Sequence, residues 1–66
     1  MELLILKAGQ DYIRVREDRY ETVGLDKASV FPVDQLDRVR EIEARLKQKG
    51  CDRLSVKKLV LSEKDL

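Results

Sequence analysis

The residues able to carry catalytic chemistry are few in this 66-residue chain. It has no histidine, so the side chain that most often acts as a general base near neutral pH is missing. Neither Cys51 nor any serine has a plausible base beside it, and the stretch KAGQD has one glycine, too few for a phosphate-binding loop. The many carboxylates mostly stand beside Arg or Lys, as on a solvated surface. We therefore expect no enzyme activity, no cofactor and no metal site.

A basic stretch, RLKQKGCDRLSVKK at residues 45–58, is one candidate binding surface. Residues 45–66 hold seven Lys/Arg against three Asp/Glu, whereas residues 1–44 hold seven against ten. Such cations can simply complement the negative end of a helix dipole, and we favour this interpretation because the whole chain has a net charge of only +1. The alternative is a patch that binds nucleic-acid phosphates, made of Lys47, Lys49, Arg53, Lys57 and Lys58.

The other candidate surface is the polar side of a predicted strand at residues 12–16. Ile13 and Val15 alternate with polar residues there, which predicts a half-buried strand. The polar side would carry Tyr12, Arg14 and Arg16, extended by Tyr20 on the neighbouring strand. Tyrosine and arginine are enriched in protein interfaces, and such faces can also stack single-stranded bases. The simplest alternative is that these side chains only pack across neighbouring strands.

The first half of the chain predicts the strands that would hold this surface. Four consecutive apolar residues at 3–6 predict a central strand covered on both faces. The turn-like AGQD that follows would join it to the strand at 12–16 in a hairpin. Residues 19–23 favour a third strand, which ends at Gly24.

One helix is predicted from about residue 33 to residue 49. Phe31 should be extended because it precedes Pro32, which should lie at or just before the helix start, with Asp34 as N-cap. The predicted buried side of the helix has apolar residues at helical spacing: Leu36, Val39, Ile42 and Leu46. On the solvent side, two acid-before-base pairs four residues apart are expected: Glu41 with Arg45, and Glu43 with Lys47.

Gly50 is expected to end the helix in a left-handed conformation. A Schellman ending would place Cys51 against Leu46, so we interpret the cysteine as structural rather than reactive.

The last predicted strand covers residues 54–61, in RLSVKKLVLSE. Leu54 and Val56 have one parity and Leu59 and Leu61 the other, which predicts either a bulge near Lys57 and Lys58 or a second half covered on both faces. The predicted fold is α+β, in the order β-β-β-α-β: a small sheet of three or four strands, mixed or antiparallel, with one helix packed on one face. A right-handed crossover would place the last strand parallel to an earlier one, in a position beside the first strand.

Length and composition predict a single domain over residues 1–66, because a chain of this size can bury only one small core. The hydrophobic fraction, 42%, is high enough for folding, while 41% of the residues are charged. One cysteine cannot form an internal disulfide, and no run approaches the length of a membrane span. We expect a cytoplasmic protein that has no membrane partner.

Two stretches, MELLILKAGQDYIRV and LDKASVFPVDQLDRV, resemble small uncharacterised proteins encoded in Mu-like prophages. The resemblance spans most of the chain and implies no activity or site residue. It implies only an accessory role in binding a protein or nucleic acid.

Together these patterns predict a noncatalytic protein-interaction module, with a phage or prophage accessory role. It would bind an unidentified protein or a second copy of itself through Tyr12, Arg14, Arg16 and Tyr20. The alternative is a nucleic-acid-binding accessory factor that uses the basic patch.

Overall fold

The computed structural model describes residues 2–17, 19–60 and 62–65. Among these residues the elements are, in chain order, β1 (Glu2–Ala8), β2 (Asp11–Val15), β3 (Tyr20–Val23), β4 (Val30–Pro32), α1 (Leu36–Gln48) and β5 (Leu54–Val60). Short 3₁₀ helices at Leu25–Lys27 and Val33–Gln35 lie on either side of β4. The predicted α+β class, with a small sheet and one helix, is confirmed.

β1 is the centre of an antiparallel sheet. β5 pairs along its whole length, from Glu2 opposite Val60 to Ala8 opposite Leu54. Because β5 occupies one edge of β1, the other edge is shared by β4, which pairs with residues 3–5, and β2, which pairs with residues 7–8. β3 lies beyond β2. The predicted hairpin of the first two strands and the third strand beside them are therefore confirmed.

The last strand lies beside the first, as predicted, and β5 runs antiparallel to β1. β4 and β5 are both antiparallel to β1, so they are parallel to each other with β1 between them. The α1 crossover thus joins β5 to an earlier strand that is parallel to it, as predicted, and that earlier strand is β4. β4 was not predicted, because three residues ending in a proline show no strand periodicity.

β5 has no bulge. Its register to β1 is continuous from residue 54 to residue 60, so the bulge predicted near Lys57 and Lys58 is absent. Leu59 and Val56 therefore lie on opposite faces of the sheet, and Leu59 is paired with Leu3. Leu61, which was assigned to the same strand, lies outside the described residues.

The junction between sheet and helix differs from the prediction in one detail. Phe31 is extended and buried in β4, and Pro32 precedes the 3₁₀ helix at Val33–Gln35, both as expected. Asp34 is not the N-cap of α1, because it lies within that 3₁₀ helix. Gln35 takes the N-cap position and makes no side-chain capping bond. One short 3₁₀ turn therefore precedes the α-helix.

The core lies between α1 and one face of the sheet, which we call the inner face. Its buried residues are Leu4, Leu6, Ile13, Phe31, Val39, Ile42, Leu46 and Leu54. Leu36 was predicted on this buried side but is 40% exposed. A helical side chain leans toward the N-terminus of its helix, so Leu36, at the first position of α1, extends past the turn that packs on the sheet.

Glu43 was predicted on the solvent side of α1, yet its residue exposure is only 9%. Its carboxylate accepts a hydrogen bond from Arg40 at 3.0 Å and lies 3.5 Å from the Lys47 ammonium group. The predicted pair with Lys47 therefore forms, but around a buried carboxylate with a second cation. The other predicted pair, Glu41 with Arg45, forms on the exposed surface at 3.2 Å.

The end of α1 has the predicted Schellman geometry. Gly50 has a φ of +96°, the Gly50 N–H donates to the Lys47 carbonyl, and the Cys51 N–H donates to the Leu46 carbonyl, both at 3.1 Å. Cys51 is partly buried against the core, as the structural interpretation requires.

Candidate functional site

The outer face of the sheet, opposite α1, contains the first two predicted contact residues. Leu4 and Leu6 face the helix, so Leu3, Ile5 and Lys7 lie on the outer face. Tyr12 is directly opposite Lys7 and therefore shares that face. Its ring centroid is 5.7 Å from the Lys7 ammonium nitrogen, within the range of a cation–π contact. Arg14 follows two residues later on the same face, where it opposes Glu21 of β3.

The centre of the outer face is aliphatic. Ile5 is only 2% exposed and is flanked by Val30 of β4, which is 47% exposed, and by Lys57 of β5. Leu3 is flanked in the same way by Pro32 and Leu59. Five apolar residues from three adjacent strands therefore form one continuous patch beside Tyr12.

The charged groups around this patch are mostly positive. Lys7, Arg14 and Lys57 lie on the outer face, and the one carboxylate among the described residues of the paired strands there is Glu21. The outer face thus presents an aliphatic centre with a positive border.

Tyr20 is not on the outer face, so its predicted association with Tyr12 was wrong. It is directly opposite Val15, whose side chain packs against the core on the α1 side. The register of β2 and β3 pairs residues 12 and 23, and 15 and 20, so Tyr20 falls on the other face from Tyr12. The predicted strand also ends earlier than expected, at Val15 rather than at residue 16.

Arg16 follows β2, where its backbone N–H donates to the Arg19 carbonyl at 2.9 Å and closes the turn into β3. Its side-chain Nε donates to Glu21 at 3.1 Å. Arg16 therefore lies at the end of the β2–β3 ribbon rather than in a row with Tyr12 and Arg14.

A cleft of about 420 Å³ lies between α1 and this end of the ribbon, and we call it the helix–ribbon cleft. Val15, Tyr20 and Ile42 form its apolar part. Six charged residues line it: Arg16, Glu17, Arg38, Glu41, Arg45 and Lys49. With four cations and two carboxylates, the cleft is positive overall.

Several of these cations keep hydrogen-bond donors that no described residue uses. Arg45 donates one bond to Glu41, and Arg16 donates one to Glu21, although each guanidinium group carries five N–H donors. Arg38 makes no ion pair with any residue that the structure describes. The Lys49 ammonium nitrogen lies 5.5 Å from the Tyr20 ring centroid. The cleft can therefore still donate to an anionic ligand.

The cleft combines residues from both surfaces that the sequence predicted, since Arg16 and Tyr20 came from one and Lys49 from the other. Arg38 and Arg45 were not among the predicted site residues. The available signal was their spacing around Ile42, because positions 38, 42 and 45 lie on one side of a helix. Without the position of the ribbon, that spacing did not identify a binding surface.

The predicted basic patch does not form one surface. Lys57 opposes Ile5 on the outer face, whereas Lys58 opposes Leu4 on the inner side and lies 3.5 Å from the Glu2 carboxylate. Lys47 lies 3.5 Å from Glu43, and Lys49 lies over Tyr20. Arg53 is beside the β1–β2 turn, where its carbonyl accepts a bond from the Gly9 N–H at 3.2 Å. Lys57 and Lys58 are separated because successive strand residues alternate between faces, and the other three cations lie in α1, at its C-cap and just before β5.

Within residues 2–17, 19–60 and 62–65, no group of three or more Cys, Asp or Glu is arranged to hold a metal ion. Nor is any helix in that part of the chain long and apolar enough to cross a membrane.

Comparison with known proteins found no matching family model, curated protein or solved structure.

Proposed function

We propose that this chain is a noncatalytic protein-interaction module that binds a protein partner through the outer face of its sheet. The observation that carries the proposal is the aliphatic patch around Ile5, bordered by Tyr12, Arg14, Lys7 and Lys57. An apolar centre with a polar border is the usual organisation of a protein interface. The prophage accessory role and the cytoplasmic location are part of this proposal, the first from sequence resemblance and the second from the single cysteine.

The partner surface should be apolar at its centre and rich in carboxylates at its border. A second copy of this chain is a poorer match, because two outer faces would bring Lys7, Arg14 and Lys57 of each copy together with only one Glu21 each. Like charges placed opposite one another oppose association. Nucleic acid is also a poorer match, since bases stack on aromatic rings and the centre of this face is aliphatic.

The experiment is affinity capture followed by purified rebinding. Proteins retained by the wild-type chain are identified, expressed separately, and titrated against wild type and the double variant Tyr12→Ala with Arg14→Ala. Tyrosine and arginine are among the residues that most often dominate binding energy, so removing both from the border of this patch should cost about 2 kcal/mol, and the affinity should fall about thirtyfold. Circular dichroism of both proteins checks that the double variant remains folded.

Arg40→Ala is the control, because Arg40 is an exposed arginine on α1, away from the outer face and outside the lining of the helix–ribbon cleft. It should leave this affinity unchanged. Retention of the purified partner by the double variant would refute the outer face as the contact surface. Light scattering of the purified chain should give a monomer, and a dimer lost on Tyr12→Ala with Arg14→Ala would identify self-association instead.

A further inference from the structure

We propose that the helix–ribbon cleft is a second binding site, whose ligand is an extended acidic peptide segment with alternating carboxylate and apolar side chains. This site is separate from the outer face, because Tyr20 and Val15 lie on the α1 side of the sheet. The proposal therefore does not depend on the protein-binding role of Tyr12 and Arg14.

The shape of the cleft favours an extended ligand. Its α1 wall runs from Arg38 to Lys49, which at a rise of 1.5 Å per residue is about 16 Å. An extended chain covers about 3.3 Å per residue, so about five residues of peptide fit along this wall. The volume of the cleft is about 420 Å³.

The charges of the cleft favour carboxylates. Arg38 and Arg45 of α1 and Lys49 at its C-cap form a row, and Arg16 lines the cleft from the ribbon. Guanidinium groups bind carboxylates through paired N–H donors, and most of the donors of Arg16 and Arg45 are not used by Glu21 and Glu41. A negative segment would therefore gain charge-assisted hydrogen bonds without displacing an existing ion pair.

The apolar floor and the two acidic residues argue for a peptide rather than a phosphate polymer. Val15 and Tyr20, which are half-buried, offer contact area to the apolar side chains of such a peptide, which an oligophosphate lacks. Glu17 and Glu41 also line the cleft and would repel a continuous line of phosphates. A peptide can place its carboxylates beside the arginines and its apolar side chains over the floor.

The test uses two fluorescein-labelled hexapeptides in fluorescence anisotropy, one alternating glutamate with leucine and the other alternating glutamine with leucine. The glutamate peptide should bind at low salt at least about tenfold more tightly than the glutamine peptide, and should weaken as salt rises. The cleft variant is Arg38→Gln with Lys49→Gln. It should lose about tenfold in affinity for the glutamate peptide, the effect of one charge-assisted hydrogen bond.

The control variant, Lys27→Gln with Lys64→Gln, removes the same number of charges from exposed positions outside the cleft lining. It should keep its affinity within about twofold, a change that corresponds to well under 1 kcal/mol. Thermal unfolding by circular dichroism confirms that both variants are folded. Equal weakening by the two variants would overturn the proposal, since binding would then follow net charge alone. Absence of binding at low salt, or tighter binding of a labelled six-nucleotide single strand than of the glutamate peptide, would also overturn it.

Discussion

Ser29→Ala should destabilise this protein more than a surface serine substitution does, because Ser29 makes hydrogen bonds to β2 that a neighbouring strand would otherwise make. β1 pairs only with the first residues of β2, and past that point Ser29 supplies the hydrogen bonds. Its hydroxyl oxygen accepts from the Val15 N–H at 2.8 Å, and its own N–H donates to the Ile13 carbonyl at 3.1 Å. Alanine keeps the backbone bond but leaves the Val15 N–H without its partner.

The expected magnitude follows from the burial of this bond. An unsatisfied buried donor costs about 1–3 kcal/mol, and the Val15–Ser29 bond is only partly buried, so water can replace part of it. We therefore expect a loss of about 1 kcal/mol in the free energy of unfolding. For a domain of this size that corresponds to a fall of about 4–8 °C in Tm.

Two measurements test this expectation. Urea unfolding gives the free energy of Ser29→Ala relative to wild type, with Ser62→Ala as control because Ser62 is exposed outside the strands. Amide hydrogen exchange then locates the effect, since protection of the Val15 amide should fall by more than that of Leu6 in the sheet centre. Ser29→Thr, which keeps a hydroxyl group, should restore much of the protection.

The reasoning would be refuted if Ser29→Ala and Ser62→Ala had the same stability. It would also be refuted if Val15 exchange were unchanged while global stability fell, because the loss would then come from another contact.

Gly50→Ala should lower the free energy of unfolding by about 1–2 kcal/mol, and Gly50→Asn by less, because the φ of +96° is unfavourable for a residue with a Cβ. An added Cβ would meet no neighbouring atom within 4 Å, so this cost comes from the backbone conformation and not from a clash. Equal stability of Gly50→Ala and wild type in urea unfolding would contradict this account. Lys57→Glu and Lys58→Glu should change any salt-dependent binding of labelled DNA or RNA unequally in fluorescence anisotropy, since the two side chains lie on opposite faces. Equal losses of affinity in the two variants would support the single basic patch instead.

The two candidate sites differ in how far sequence could anticipate them. Tyr12 and Arg14 were placed on one sheet face by the alternation of β2, which is a property of consecutive residues. The helix–ribbon cleft was not anticipated, because it joins Arg16 and Tyr20 with Arg38, Arg45 and Lys49, which lie at least 18 positions away in sequence. No local sequence pattern indicates that these residues lie close together.

The same distinction separates what the sequence by itself determined from what only the tertiary structure decided. Gly50 and the helical spacing of Val39, Ile42 and Leu46 determined where α1 ends and which of its sides is buried, because glycine conformation and helical periodicity act within a few residues. The antiparallel pairing of β5 with β1, the short strand β4 and the inward position of Tyr20 were decided by packing. These features depend on which distant strands pair and in what register, and a shift of one residue reverses the face of every side chain in a strand.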